Sequence, residues 1–313
     1  MKQRNEVGER VRGSGSQSSP GRPLAVVRRI LGHEAAEGRK GGVFLRLLGW
    51  QLMKRAVKRP VVVRAFGEGV IRCWPDSALS GAMIYHGLPD WHEMHFLKRV
   101  LRPGDGFLDI GANIGVYSVL ASTCVMPGGR IEAFEPDPTL FARLLENFGL
   151  NGIPPSGAHN VAIGETSGVI GFCGGKDAVG AVESAHAPGN IRVPMRRLDE
   201  VASGAFVIAK VDIEGYELAA LKGAGRLLQS DGVQCWLLET NGASQRYGAS
   251  RTELHSFLGT FGYQLYSVAN SGRTLQKLAF GGPYPANALA VRDPDWLRER
   301  LGDIQVVAEP TSS

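Results

Sequence analysis

Several apolar runs in this chain give out at an acidic residue followed by a glycine or a turn. Asp109 closes GFLD and leads into IGANIG, and Glu135 closes IEAFE and leads into PDP. Gly111 and Gly115 stand on either side of Asn113, and a helix-like run follows, so the segment reads as a strand-turn-helix that lets backbone approach a ligand closely. In open parallel sheets ligands lie outside the carboxyl ends of the strands. Asp109 and Glu135 then face one crevice, with Glu135 placed to accept hydrogen bonds from ribose hydroxyls.

The spacing selects among nucleosides. A dinucleotide fingerprint is G-x-G-x-x-G with the helix N-terminus bare for a pyrophosphate, whereas this turn is D-x-G-x-N-x-G. A carboxylate at Asp109 repels a pyrophosphate and tolerates the ammonium and sulfonium of S-adenosylmethionine. An NAD-dependent oxidoreductase is the nearest different enzyme class, and Asp109 argues against it. A non-catalytic S-adenosylmethionine-binding module would need only Asp109 and Glu135.

Asp212 and Glu214 follow a later apolar run, FVIAKVDIEG. Methyl transfer to a hydroxyl is an in-line displacement in which much of the catalysis is positioning, plus removal of one proton by a base or a metal-acidified hydroxyl. Asp212 suits the cofactor or substrate edge and Glu214 the acceptor contact or general base; the competing role for Glu214 and Glu217 is to cap the next helix. A divalent metal held by Asp212, Glu239 and Asn241 is the less favoured alternative to a metal-free site. Any of His86, His92 and His95 is a candidate base, though packing is the commoner fate of each.

The elements that must position these groups alternate. Strands are expected at Phe107 to Ile110, Arg130 to Phe134, His159 to Ile163, Phe206 to Asp212 and Val233 to Glu239, with helices at Val116 to Val125, Thr139 to Phe148, Tyr216 to Leu228 and Arg251 to Phe261. Tyr263 to Val268 and Asn287 to Val291 have no helix between them and should pair antiparallel at the sheet edge. Gly168 to Arg197 is Gly-rich and reads as an inserted hairpin with loops that cover the substrate side. Ahead of the sheet, Val61 to Trp74 suggests a hairpin and His92 to Leu101 a helix.

Together with LRPGDGFLDIGANIGVYS and AFEPDP, the segments LENFGLNG (Leu145 to Gly152) and KVDIEGYELAALKGA (Lys210 to Ala224) resemble the FkbM family of S-adenosylmethionine-dependent methyltransferases. The resemblance runs from about Tyr85 to Thr240. It implies a doubly wound, Rossmann-like α/β sheet of seven strands with the last one antiparallel, here preceded by a helical and hairpin N-terminal extension. It also implies that Asp109, Gly111, Asn113 and Gly115 wrap the methionine part of the cofactor, that Glu135 binds the ribose and that Asn160 contacts the adenine. Ser118 would add a hydroxyl to the methionine carboxylate or stand as an ordinary first-turn serine of the helix. The acceptor class it suggests is a hydroxyl on a small molecule, sugar or glycan. Base methylation of nucleic acids usually uses a [DNS]-P-P-[YF] strand end, and this chain has Asp-Ile-Glu-Gly there.

Charge divides the chain. Residues 1–59 carry 14 Lys and Arg against 4 Asp and Glu, so the other 254 residues hold a net −5 within the overall +5. A basic footprint on the fold would suggest nucleic acid, but the cations lie in a Gly/Ser/Arg-rich leader that reads as disordered. The organisation expected is a disordered basic leader over 1–42, the extension over 43–100, the methyltransferase domain over 101–293, and a C-terminal helix and tail over 294–313. Val43 to Lys58 is helix-like, too short and too charged to span a bilayer; docking on the main domain is its commoner fate, and weak contact with a membrane surface the other. The polar first 20 residues carry no signal-peptide pattern, and Cys73, Cys124, Cys173 and Cys235 show no C-x-x-C spacing. The cytoplasm is the compartment expected.

Overall fold

The computed structural model describes residues 23–173, 181–183, 191–230, 232–241 and 249–309. Its centre is a nine-stranded sheet, whose strands are numbered here in chain order: β1 Gly106–Ile110, β2 Arg130–Phe134, β3 Ala158–His159, β4 Phe206–Val211, β5 Val233–Glu239, β6 Gln264–Ala269, β7 Thr274–Lys277, β8 Asn287–Val291 and β9 Gln305–Val307. The spatial order is β3-β2-β1-β4-β5-β8-β6-β7-β9. The first five strands are mutually parallel, and β8 runs antiparallel to both β5 and β6. All five residues of β1 are buried, as a parallel strand covered on both faces requires. One apolar core lies on each side, the first around Phe107, Val119 and Phe148 and the second around Leu108, Phe206 and Trp236.

This is the expected doubly wound α/β sheet, but β7, β8 and β9, rather than one strand alone, run against the first five, and the plan is modified further. Asn287–Val291 lies inside the sheet, and β7 and β9 extend the edge beyond β6. The third strand breaks at Asn160: Ala158–His159 stays in the main sheet, while Ala162–Ile163 joins a separate four-stranded sheet with Ile191–Arg196, Gly168–Cys173 and Ala181–Glu183. The insertion is therefore a small sheet, and its expected covering loops fall largely outside the described residues. The helix expected from Tyr216 to Leu228 is two short ones, Glu217–Lys222 and Gly225–Gln229. A side chain at the junction is excluded, since a Cβ on Gly223 would lie 2.1 Å from the Gly164 carbonyl oxygen.

The N-terminal extension is built onto this frame. Where the leader over 1–42 is expected to be disordered, Pro23–Leu31 is helical, Glu34–Ala36 forms a 3-10 turn and a helix begins at Lys40, while residues 1–22 lie outside the described residues. Helix Lys40–Ala56 buries Val43, Leu47 and Trp50 and packs against helix Ala78–His86. The hairpin Val61–Arg64 and Val70–Cys73 is tied to the main domain by two asparagines of LENFGLNG. Asn151 bonds both backbone groups of Val70 at 2.8 Å, and Asn147 accepts from the Arg72 amide at 2.8 Å while donating to the Ile114 carbonyl at 2.8 Å. Among the described residues no helix is long and apolar enough to cross a membrane.

Candidate active site

The turn after β1 is shaped by what it must pass. Gly111 has φ +82°, and a Cβ there would lie 1.9 Å from the Asp212 carbonyl oxygen, so only glycine lets the β1 and β4 exits approach this closely. The amides of Gly111 and Ala112 both donate to the Phe134 carbonyl, at 2.9 and 3.0 Å, which lays the turn over the end of β2. Asn113 takes a left-handed conformation with φ 54°, and its side-chain oxygen accepts from the Ile114 amide at 2.8 Å. Glu135 then fastens the turn: one carboxylate oxygen accepts from the Asn113 amide and the other from the Asp137 amide, each at 2.8 Å. Glu135 is 4% exposed, and burial pushes its pKa up to about 7 against the pull of those two bonds.

Asp109 is wholly buried at the end of β1. Its Oδ2 accepts from the Ser118 hydroxyl at 2.6 Å, and its Oδ1 is buried without a hydrogen-bond partner. Burial raises its pKa, opposed by the positive charge of Lys210. An acceptor oxygen left unsatisfied in a buried place is costly unless a ligand supplies a donor.

Asp109, Gly111, Asn113 and Glu135 line one cavity together with Asp212 and Glu214. The other three expected cofactor residues stand behind it. Gly115, at φ +85°, is the left-handed N-cap of helix Val116–Val125, and Ser118 spends its hydroxyl on Asp109. Asn160 donates to the Glu135 and Pro136 carbonyls at 2.8 and 3.1 Å, and its neighbours Val161, Ala162 and Ile163 form the cavity wall instead.

On the opposite side, Lys210 of β4 sits in register with Asp109 of β1 and forms an ion pair with Asp212 at 2.6 Å. The lysine side chain is 6% exposed, and its ammonium lies 4.5 Å from the centre of the Tyr117 ring. The Tyr117 hydroxyl in turn donates to Asp90 at 2.7 Å. Burial would raise the Asp212 pKa, but the Lys210 charge and hydrogen bond outweigh it and hold Asp212 below its ordinary value. Glu239 is pushed up to about 10, first by burial and then by repulsion from Asp212 and Glu214, so it carries a proton at neutral pH. Glu217 is the residue that serves the helix start, accepting from the Gly215 and Ile213 amides at 2.9 and 3.3 Å. Glu214, with φ 55° in the turn before it, faces the cavity.

Asp212, Glu214 and Glu239 bring one oxygen each to within 4.8 Å of one another, an arrangement that suits a divalent cation as well as a shared proton. Glu214 joins Asp212 and Glu239 in this cluster, and the Asn241 side-chain amide donates to Glu239 at 2.5 Å. The histidines do not line the cavity: His86 stacks on His33, His92 pairs with Glu34 at 2.7 Å and His95 bonds the Trp91 carbonyl at 2.7 Å. Of the expected wall from Tyr85 to Trp91, Asp90 reaches the cavity. Lys210 and Tyr117 were not singled out from the sequence. A lysine inside the apolar run FVIAKV is the signal that could have found the first, since a parallel strand buried on both faces has no water for an ammonium.

Residues 109–265 match the family model described as the methyltransferase FkbM domain. Over 199 residues the chain is 27% identical to the hexuronic acid methyltransferase AglP of Haloferax volcanii, a match covering 59% of this chain and 77% of that protein. A 47-residue stretch is 49% identical to the 31-O-demethyl-FK506 methyltransferase FkbM of Streptomyces tacrolimicus and spans 15% of this chain and 18% of that enzyme. The solved methyltransferase FkbM of Methylobacillus flagellatus KT aligns over 80% of this chain and 60% of its own, with 16% identity and a TM-score of 0.40.

Proposed function

From the premise that the chain belongs to the FkbM methyltransferase family, we propose that it uses S-adenosylmethionine to methylate a hydroxyl of a sugar, glycan or other small molecule. The observation that carries the cofactor reading is the buried, unpartnered Oδ1 of Asp109 beside a turn that Glu135 clamps shut. An anionic acceptor there fits an ammonium and disfavours a pyrophosphate. When bound, S-adenosylmethionine supplies a methyl group already activated by a sulfonium. Asp109 and the turn from Gly111 to Asn113 would hold its amino-acid part, and Glu135 its ribose hydroxyls. The names of the two curated relatives, one acting on a hexuronic acid and one on an O-demethylated compound, support the hydroxyl acceptor.

The acceptor side supplies proton handling. Asp212, kept ionised by Lys210, fixes a negative charge at the exit of β4. Glu214 projects from a left-handed turn on the same wall and is the group assigned to take the hydroxyl proton. Glu239, its pKa raised by burial and by Asp212 and Glu214 beside it, is the carboxyl of this cluster suited to hold a proton.

Calorimetric titration with S-adenosylhomocysteine, with NAD and with a Glu135→Ala variant in parallel, tests the reading. Micromolar binding of the homocysteine compound, weakened in the variant and absent for NAD, supports it. Binding of NAD alone, or of neither compound to folded protein, refutes it. Transfer of labelled methyl to a panel of uronic acids and other hydroxylated acceptors then identifies the acceptor class, and transfer only to amines would refute the hydroxyl assignment.

A further inference from the structure

Helix Lys40–Ala56 is apolar on two opposite sides. Val43, Leu47 and Trp50 turn inward and are buried. Phe44, Leu45, Leu48 and Leu52 form a second stripe on the far side by the same helical spacing, and Leu45 and Leu52 are 69% and 66% exposed. A helix docked on a domain ordinarily turns polar side chains to water, so four large apolar residues in one outward stripe call for an occupant.

The surrounding charge says which. Arg39, Lys40, Arg46, Arg55, Lys58 and Arg59 are all exposed on or beside this helix, while residues 23–59 contain two acids, Glu34 and Glu37. A second copy of the chain would bring the same cations face to face. A nucleic acid would use the cations and leave the leucines in water. A bilayer surface matches both features, with acyl chains for the stripe and anionic headgroups for the cations.

We propose that Lys40–Ala56 lies along a membrane surface rich in anionic lipid, its outward stripe inserted at the headgroup boundary and its inward stripe holding the catalytic domain there. The inference is independent of the methyl-transfer reading. Its geometry has a bearing on the site all the same: the helix it rests on, Ala78–His86, carries Leu79 into the cavity wall. One layer of helix then separates the membrane face from the cavity.

Co-sedimentation of the full chain with vesicles of phosphatidylcholine alone, and with phosphatidylglycerol added, is the test. The expected result is binding to the anionic vesicles that falls at least about tenfold in Leu45→Gln/Leu52→Gln and in Arg46→Gln/Arg55→Gln, and that weakens with salt. Both pairs are exposed, so thermal unfolding should be unchanged, and the arginine variant keeps the test valid if the leucine variant misfolds. Absence of binding to anionic vesicles overturns the proposal, as does binding that neither pair alters. A stable dimer in light scattering that Leu45→Gln/Leu52→Gln dissociates overturns it in favour of a second copy as occupant.

Discussion

Replacing Lys210 by methionine keeps the unbranched stem of the side chain and removes its charge from beside two carboxylates. In the native protein the ammonium pairs with Asp212 at 2.6 Å and stands in register with the wholly buried Asp109. Breaking a buried ion pair by deleting one partner costs about 3–5 kcal/mol. The Asp212 side chain is 35% exposed to cavity water, and screening brings the expected loss to about 2–3 kcal/mol at pH 8. The pH dependence follows from the sign of the shifts. Without Lys210, Asp109 and Asp212 both have folded pKa values above the unfolded value near 3.9, so the folded state binds more protons than the unfolded one between that value and the raised pKa. Variant stability then falls as pH rises through that window, and the gap from wild type is widest at pH 8 and narrow near pH 4. Urea unfolding followed by circular dichroism at both pH values measures it. A loss below about 1 kcal/mol at pH 8, or an equal loss at both pH values, would refute the reasoning.

Raising pH from 6 to 8 takes Glu135 from roughly one-tenth to roughly nine-tenths ionised, given its pKa of about 7, so affinity for S-adenosylhomocysteine should rise about tenfold by calorimetry. Glu135→Gln should be weak and flat across that range; a wild-type affinity independent of pH would mean that the ionised carboxylate is not what binds. Glu239→Gln mimics the protonated acid and should retain the methyl-transfer rate within about threefold, whereas Asp212→Asn should lower it about a hundredfold. Equal losses in the two variants would show that Glu239 works ionised. Gly111→Ala places a methyl 1.9 Å from the Asp212 carbonyl oxygen at a left-handed φ and should cost about 3 kcal/mol or more in stability, read by thermal unfolding.

The residues legible from sequence were those whose role is set by local chain geometry. Asp109, Gly111, Asn113 and Glu135 mark strand ends and a tight turn, and the structure brings all four to one cavity. What Ser118 and Asn160 bond to was not legible, because their partners lie elsewhere in the chain: one hydroxyl donates to Asp109 nine residues earlier, one amide to carbonyls 25 and 24 residues away. The third strand looked continuous because Val161 and Ala162 keep the apolar pattern, although Asn160 turns the chain from one sheet into another. Thr274–Lys277 and Gln305–Val307 are short strands without a clear period of two, so nothing in their composition announced them. The outward leucine stripe was visible as apolar sequence, and only the packed structure shows which of its faces the protein itself covers.

Asn147 accepts from the Arg72 amide and donates to the Ile114 carbonyl, so a single side chain spans the N-terminal hairpin and the turn that lines the cavity. Thermodynamically this makes the hairpin a gauge of occupancy. Whatever steadies the turn also steadies the acceptor to which the Arg72 amide is bonded, and the opening of that amide becomes rarer by up to the free energy that the turn gains. Hydrogen exchange at one backbone position outside the site would therefore report on the state of the cavity.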